Sequence, residues 1–313
     1  MEKGNFTDVT EFFLVGLSEY RGLQLSLYVL CLVMYLMILL GNSIFIIISI
    51  LDPCLHTPMY FFLGNLSFLD ICYTSSFIPQ MLKNFMSKRK SISFTGCALQ
   101  MIISLGLGCT ECVLLAVMAF DRYVAICNPL RYTTIMNNGL CIQMAVWTWI
   151  IGCLNSLLSS GLVLIKPFCG NIIDQFFCEI LAVIKLICGD ISVNVLVIMV
   201  GSIAFLIIPL LLILLSYIFI LSTILRINSS EGRKKAFSTC SAHLVVVILF
   251  YGSALSMYMK PKSKDTKISD ELISLSYEII TPMLNPIIYS LRNKEVKGAI
   301  EKVLIRNLSL KRI

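Results

Sequence analysis

Charge is scarce in this chain. Asp, Glu, Lys and Arg make up 14% of its 313 residues, where a soluble domain carries roughly 25%. Hydrophobic residues reach 58% and the mean hydropathy is +0.87. That balance excludes a water-soluble domain and implies a polytopic membrane protein whose interior lies between helices in lipid. Histidine is limited to His56 and His243, far apart, and neither a His-Glu-x-x-His nor a Gly-x-Ser-x-Gly motif occurs. An enzyme built on a metal pair or a nucleophile and base is therefore excluded. Gly106-Leu107-Gly108 is too short for a phosphate loop. No repeat relates the two halves, which argues against an inverted-repeat transporter. Residues 1–21 carry Glu2, Asp8, Glu11 and Glu19. They lack the basic start and apolar core of a removable signal peptide, so the first span is expected to act as its own signal. The net charge of +7 is spread over short loops. It suits an anionic inner leaflet rather than nucleic acid.

What is present is a series of long apolar runs. Residues 22–51, 132–165 and 191–225 carry no charge, and 236–259 contains only His243. Runs 58–82, 92–120 and 272–291 each hold one acid, Asp70, Glu111 and Glu278 respectively. Each run meets the roughly 20 residues that a bilayer demands. The expected fold is thus an all-α membrane protein with seven transmembrane helices and termini on opposite sides. Lys and Arg barely choose an orientation, thirteen inside against twelve outside for an outer N-terminus. With that orientation Asn5-Phe6-Thr7 is a glycosylation acceptor.

Cysteines decide better. Most of the 13 lie in spans, as small packing residues. Cys97, Cys169, Cys178 and Cys188 instead gather on one face of the membrane. Disulfides persist outside the cell, and four thiols allow three pairings. Spacings of nine and ten residues do not resemble the short hairpins of structural zinc sites.

Polar residues within the spans carry the rest. At about 1.5 Å per residue, Asn42, Asp70 and Glu111 sit roughly 15–18 Å above the inner ends of their helices, with Asn285 slightly lower. They form one expected layer. Two neighbouring carboxylates there call for a proton or a sodium ion; a glue of hydrogen bonds between helices is the plainer alternative. Arg122, beside Asp121 and Tyr123, closes the apolar run that starts near Ile92. Asp121 can hold the cation for a cytoplasmic partner, or the pair can simply snorkel at a helix end. Pro282 and Pro286 break the seventh span's backbone ladder twice, so the freed carbonyls need partners. His243 reads as a hydrogen bonder between helices. Val296, Ile300, Val303 and Leu304 recur at helical spacing, as in a short amphipathic helix on the inner leaflet.

Seven spans, Gly41-Asn42, Asp70, Asp121-Arg122-Tyr123, Cys97 with its loop, and Asn285-Pro286-Ile287-Ile288-Tyr289 resemble the rhodopsin-like G-protein-coupled receptors. The stretches from Leu55 to Leu63, Met118 to Cys127, Lys235 to Leu244 and Pro282 to Asn293 resemble the odorant receptors of the larger tetrapod branch. The match covers nearly the whole chain. Tyr251 stands where many rhodopsin-like receptors carry tryptophan, a trait odorant receptors share; Trp147 and Trp149 both lie in the fourth span.

The resemblance implies a single receptor domain over 1–313, with an extracellular segment 1–23, a bundle 24–291 and a cytoplasmic tail 292–313. It implies disulfides Cys97–Cys178 and Cys169–Cys188. Arg122 would meet the G-protein after the sixth helix swings out, released from Asp121, while Tyr217 and Tyr289 steady the active form. The partner would be a stimulatory G-protein of the olfactory type, raising cyclic AMP from the plasma membrane of olfactory cilia; no cofactor is implied. Odorants would bind in the outer half. The facing positions on the third helix are Ser104, Leu105, Gly108, Cys109 and Cys112. Gly201, Ser202 and Phe205 face them from the fifth. Tyr251, Leu255 and Tyr258 come from the sixth, with Ser274 and Glu278 from the seventh. Such a pocket is apolar with scattered hydroxyls and thiols, suited to a small, mostly hydrophobic volatile. Cys109 and Cys112 share a helix face, but packing explains them more simply than metal. Glu278 either anchors a hydrogen-bonding or cationic group or is a protonated acid bonded to a neighbouring helix.

Overall fold

The computed structural model describes residues 9–16, 21–259, 267–292, 296, 298 and 299, with side chains left undescribed at 21, 23, 235, 239, 255–259, 267–274, 276–277 and 290–292. The helices are α1 Arg21–Leu51, α2 Pro58–Met86, α3 Phe94–Cys127, α4 Asn138–Leu164, α5 Ser192–Leu225, α6 Ser230–Met259 and α7 Lys267–Arg292. Among the described residues the first six are long and apolar enough to cross a membrane, and α7 completes a seven-helix bundle. Below, the end bearing the disulfides is called outer and the end bearing Arg122 inner.

α3 is the central element, packed along α4, α5 and α2, while α7 lies against α6, α1 and α2. Small residues set the α3–α4 distance. A Cβ at Gly152 would collide with Thr110 Oγ1 and lie 2.9 Å from the Gly106 carbonyl oxygen. Thr110 Oγ1 donates to that same carbonyl at 2.8 Å, and Ser156 donates to Ile102 O across the helix pair. Helices in lipid gain no hydrophobic drive from one another, so close backbone approach of this kind supplies the packing.

Prolines shape α5 and α7. Pro209 lacks the N–H that would bond Phe205 O, and the turn before it, Ile203–Ile207, widens to a π-helix. Pro286 frees the carbonyl of Pro282, and Asn42 Nδ2 donates to it at 3.2 Å from α1. Gly41 admits this approach: a Cβ there would lie 3.2 Å from Pro286 Cγ.

Two sequence expectations need correction. The run 132–165 is not one helix: a single turn, Tyr132–Ile135, precedes a break at Met136 and Asn137, and α4 starts at Asn138. Asn137 Oδ1 accepts from Leu140 N at 2.9 Å, an N-cap that outweighs the continuous apolar pattern. Arg122 is not at a helix end either, since α3 continues to Cys127. The tail helix falls largely outside the described residues, although Val296 and Ala299 are helical and buried against the inner core.

The outer end carries a small sheet that hydropathy does not reveal. β1 Glu11–Leu14 lies between β2 Ser91–Ser93, antiparallel, and β3 Ile172–Ile173, parallel. Alternation buries Phe12 and Leu14, and Phe12 packs on Phe94 and Phe168. Arg89 pairs with Glu11 and lies 5.6 Å from the centre of the Phe13 ring.

Replacing Gly152 with Leu should separate α3 from α4 and cost about 1–3 kcal/mol. We expect reduced surface expression and a lower thermal midpoint. Gly161→Leu, where a new Cβ meets nothing within 4 Å, should leave both near wild type.

Candidate functional site

The outer half contains a cavity of about 220 Å³ lined from α2, α3, α4, α5, α6, α7 and the loop before α5. α3 brings Ser104, Leu105, Gly108, Cys109 and Cys112 to it, all five expected positions. α5 brings Gly201, Ser202 and Phe205, and α7 brings Glu278. The π turn presents Phe205 and Leu206 together. Tyr251 does not line the cavity. It is buried with its hydroxyl toward Cys112, and Phe250 lines the wall instead. The side chains of Leu255, Tyr258 and Ser274 lie outside the described residues, as does Asn5.

Sequence reasoning missed α4 and the loop. Asn155 and Ser159 line the cavity, with Asn155 Nδ2 donating to Cys109 Sγ at 3.3 Å. The loop adds Phe177, Glu179, Ile180 and Leu181. Their placement follows from Cys178, bridged to Cys97 with Cα atoms 5.4 Å apart. Its amide donates to Gln100 Oε1 at 2.7 Å. A tie to α3 necessarily brings the flanking loop residues over the α3 end, and this was the available signal. Cys169 and Cys188 are also joined. Beyond them Asp190 accepts from the amide of Ser192 at 2.9 Å and from its hydroxyl, and these bonds hold its carboxyl below the usual range.

In the middle of the bundle Asn42, Asp70, Glu111 and Asn285 are all buried. Asn285 Nδ2 donates to Asp70 Oδ2 at 2.9 Å. Asp70 and Glu111 are close enough for their charges to interact. Three acceptors, Asn42 Oδ1, Asp70 Oδ1 and Asn285 Oδ1, are buried without a partner. Hard cations take oxygen ligands of this type, so the donor set fits a sodium ion as well as a proton. Among the described residues no group of three or more His, Cys, Asp and Glu could hold a metal.

At the inner end Asp121 is fully buried and Arg122 nearly so. Arg122 Nε donates to Asp121 Oδ2 at 3.0 Å, with Nη2 on the same oxygen. Tyr132 Oη donates to Asp121 Oδ1 at 2.7 Å. Burial and the adjacent carboxylate push the Tyr132 phenol above its ordinary range, so it remains a donor. The arginine is thus held inward rather than snorkelling. Nearby, His243 Nε2 lies 3.2 Å from Leu115 O and Nδ1 lies 2.7 Å from Tyr217 Oη. A carbonyl only accepts, so Nε2 carries a proton. This histidine joins α3, α5 and α6. Tyr289 Oη on α7 is buried without a partner.

A family model described as olfactory receptor matches residues 30–307. The Homo sapiens olfactory receptor 13D1 is 71% identical over 311 residues, which cover 99% of this chain and 90% of that protein. The Homo sapiens olfactory receptor 2K2 is 61% identical over 304 residues, covering 97% and 96%. Olfactory receptor-like protein OLF3 of Canis lupus familiaris is 53% identical over 305 residues, covering 97% and 96%. In fold, the crystal structure of squid rhodopsin is similar with a TM-score of 0.71 at 18% identity, over 93% of this chain and 87% of that one.

Asn42→Ala removes the donor on Pro282 O. We expect a loss of about 1 kcal/mol, read as a lower thermal midpoint of the purified protein. A variant as stable as wild type would mean that the freed carbonyl finds another partner.

Proposed function

The chain belongs to the olfactory receptor family of rhodopsin-like G-protein-coupled receptors, and on that premise we propose that it reports a small, mostly hydrophobic volatile through a stimulatory, olfactory-type G-protein. The protein is a multi-pass membrane receptor; we place it in the plasma membrane of olfactory cilia, with its N-terminus outside and glycosylated at Asn5. One domain, 1–313, carries both the ligand cavity and the coupling face.

The observation that carries the reading is the pairing of a mainly apolar outer cavity with a buried cation at the opposite end of the same helix, α3. Leu105, Phe205, Leu206 and Phe250 supply shape, and Ser104, Ser202 and Asn155 supply polar contacts. Ligand seated against α3, α5 and α6 favours one packing of those helices over another. When α6 swings out, the His243–Leu115 bond breaks. Arg122 then exchanges Asp121 for the G-protein, and Tyr217 is free to turn toward it. Tyr289, buried without a partner, is placed to join from α7. Asn42, Asp70, Glu111 and Asn285 would hold a sodium ion in the resting form, which supplies positive charge between the two carboxylates.

Cyclic AMP in cells carrying an olfactory-type G-protein, measured across a panel of volatiles, tests the proposal. The intact chain should respond, and Arg122→Ala at matched surface expression should not. A response that survives the substitution would remove Arg122 from the coupling face. His243→Leu should raise ligand-independent cyclic AMP about two- to tenfold, the weight of one net hydrogen bond lost from the resting state. Unchanged or lower basal signalling would mean that His243 does not restrain α6.

A further inference from the structure

One acid in the cavity wall has no answer. Glu278 lines the cavity from α7, and its Oε2 is closed off from solvent without a hydrogen-bond partner. A second acid, Glu179, lines the same cavity from the loop, near enough for its charge to act on Glu278. Glu179 stands where it does because Cys178 beside it is tied to Cys97 and to Gln100. The described lining contains no Lys, Arg or His. Of the loop cations, Lys166 is engaged with the carbonyl of Asp190 at 3.3 Å.

Two hydroxyls of the wall lean the same way. Ser202 Oγ donates to Ile198 O at 2.8 Å and Ser104 Oγ donates to Met101 O at 3.3 Å. Each hydroxyl proton is spent on its own helix, so what these serines turn to the cavity is lone pairs. One of the two amide protons of Asn155 is spent likewise on Cys109. A carboxyl oxygen buried without a partner is costly, and a cation entering the cavity beside Glu278 answers it. An ammonium group brings one positive charge and several N–H donors and has no lone pair left to satisfy. A carboxylate ligand brings the opposite of each.

From this wall we propose that the cavity selects ligands that carry a protonated amine. The ammonium lies against Glu278, and the hydrocarbon lies against Leu105, Phe205, Leu206 and Phe250. The proposal rests on the reading of this cavity as the ligand site.

The test uses matched amines, alcohols and carboxylic acids on a series of hydrocarbon skeletons, from butyl to octyl with cyclohexyl included. Cyclic AMP is read in cells expressing the full chain, with surface expression measured for each variant. A thermal-midpoint shift of the purified receptor with the same compounds gives a readout independent of any G-protein. Amines should act and shift the midpoint where the matched alcohols and acids do not. Glu278→Gln should raise the half-maximal amine concentration about ten- to a hundredfold, the cost of one charge-assisted contact, and Glu179→Gln should raise it by less. Glu278→Lys should abolish the amine response while keeping surface expression. Responses to neutral or acidic volatiles with none to amines would overturn the proposal and leave the cavity as the ligand site. Equal amine potency in wild type and both Gln variants would overturn it as well. If no compound of any class signals or shifts the midpoint of a well-expressed receptor, the reading of the cavity fails and the proposal fails with it.

Discussion

A polar group inside a bilayer has no water to turn to, and the shape of this bundle follows from how each such group is satisfied. Thr74, Thr110, Thr148, Ser202 and Ser216 each return their hydroxyl proton to a carbonyl four residues earlier in their own helix. Where proline breaks the ladder, the chain answers in two ways. α5 widens by a π turn before Pro209, and α7 borrows the amide of Asn42 from α1. The second answer is the more consequential. It fixes α1 to α7 at the depth where Asn285 reaches Asp70, so the same contact that repairs a backbone also defines the polar layer.

The two ends of α3 differ in kind. The outer end is held covalently by Cys97 and capped by Ser93, whose Oγ accepts from Gly96 N at 3.1 Å. The inner end is held by an ion pair and by single hydrogen bonds to Asp121 and from His243. Disulfides do not exchange on the time scale of signalling, whereas hydrogen bonds do. The proposed division between a cavity that keeps its form and a coupling face that changes follows from that chemistry.

The helices were legible because lipid imposes a length and a polarity on every span, and a run such as 191–225 can hardly be read otherwise. The polar layer was legible for the same reason, since depth follows from rise per residue. Arg122 was misplaced by assuming that charge marks a helix end; a buried ion pair lets the helix run on to Cys127. The break at Asn137 was hidden because apolar pattern has no memory of capping, which depends on one side-chain oxygen. The lining from Asn155, Ser159 and Glu179 was hidden for a third reason. Two of these lie on a helix whose rotation hydropathy does not fix, and the third in a loop placed by a covalent bond. The outer sheet was the least legible of all, because strands of two to four residues leave no periodicity to read.

That sheet sets an order of assembly. β1 precedes every helix in the described chain, yet it is the middle strand, and both neighbours come from later parts of the chain. Its parallel partner β3 follows α4. The cover of Phe12 and Leu14 is therefore complete only when the segment after α4 has folded back beside β1. The closing of the outer face is thus a late, non-local step, and a receptor stalled before it presents a bare apolar strand to the quality-control machinery of the secretory pathway.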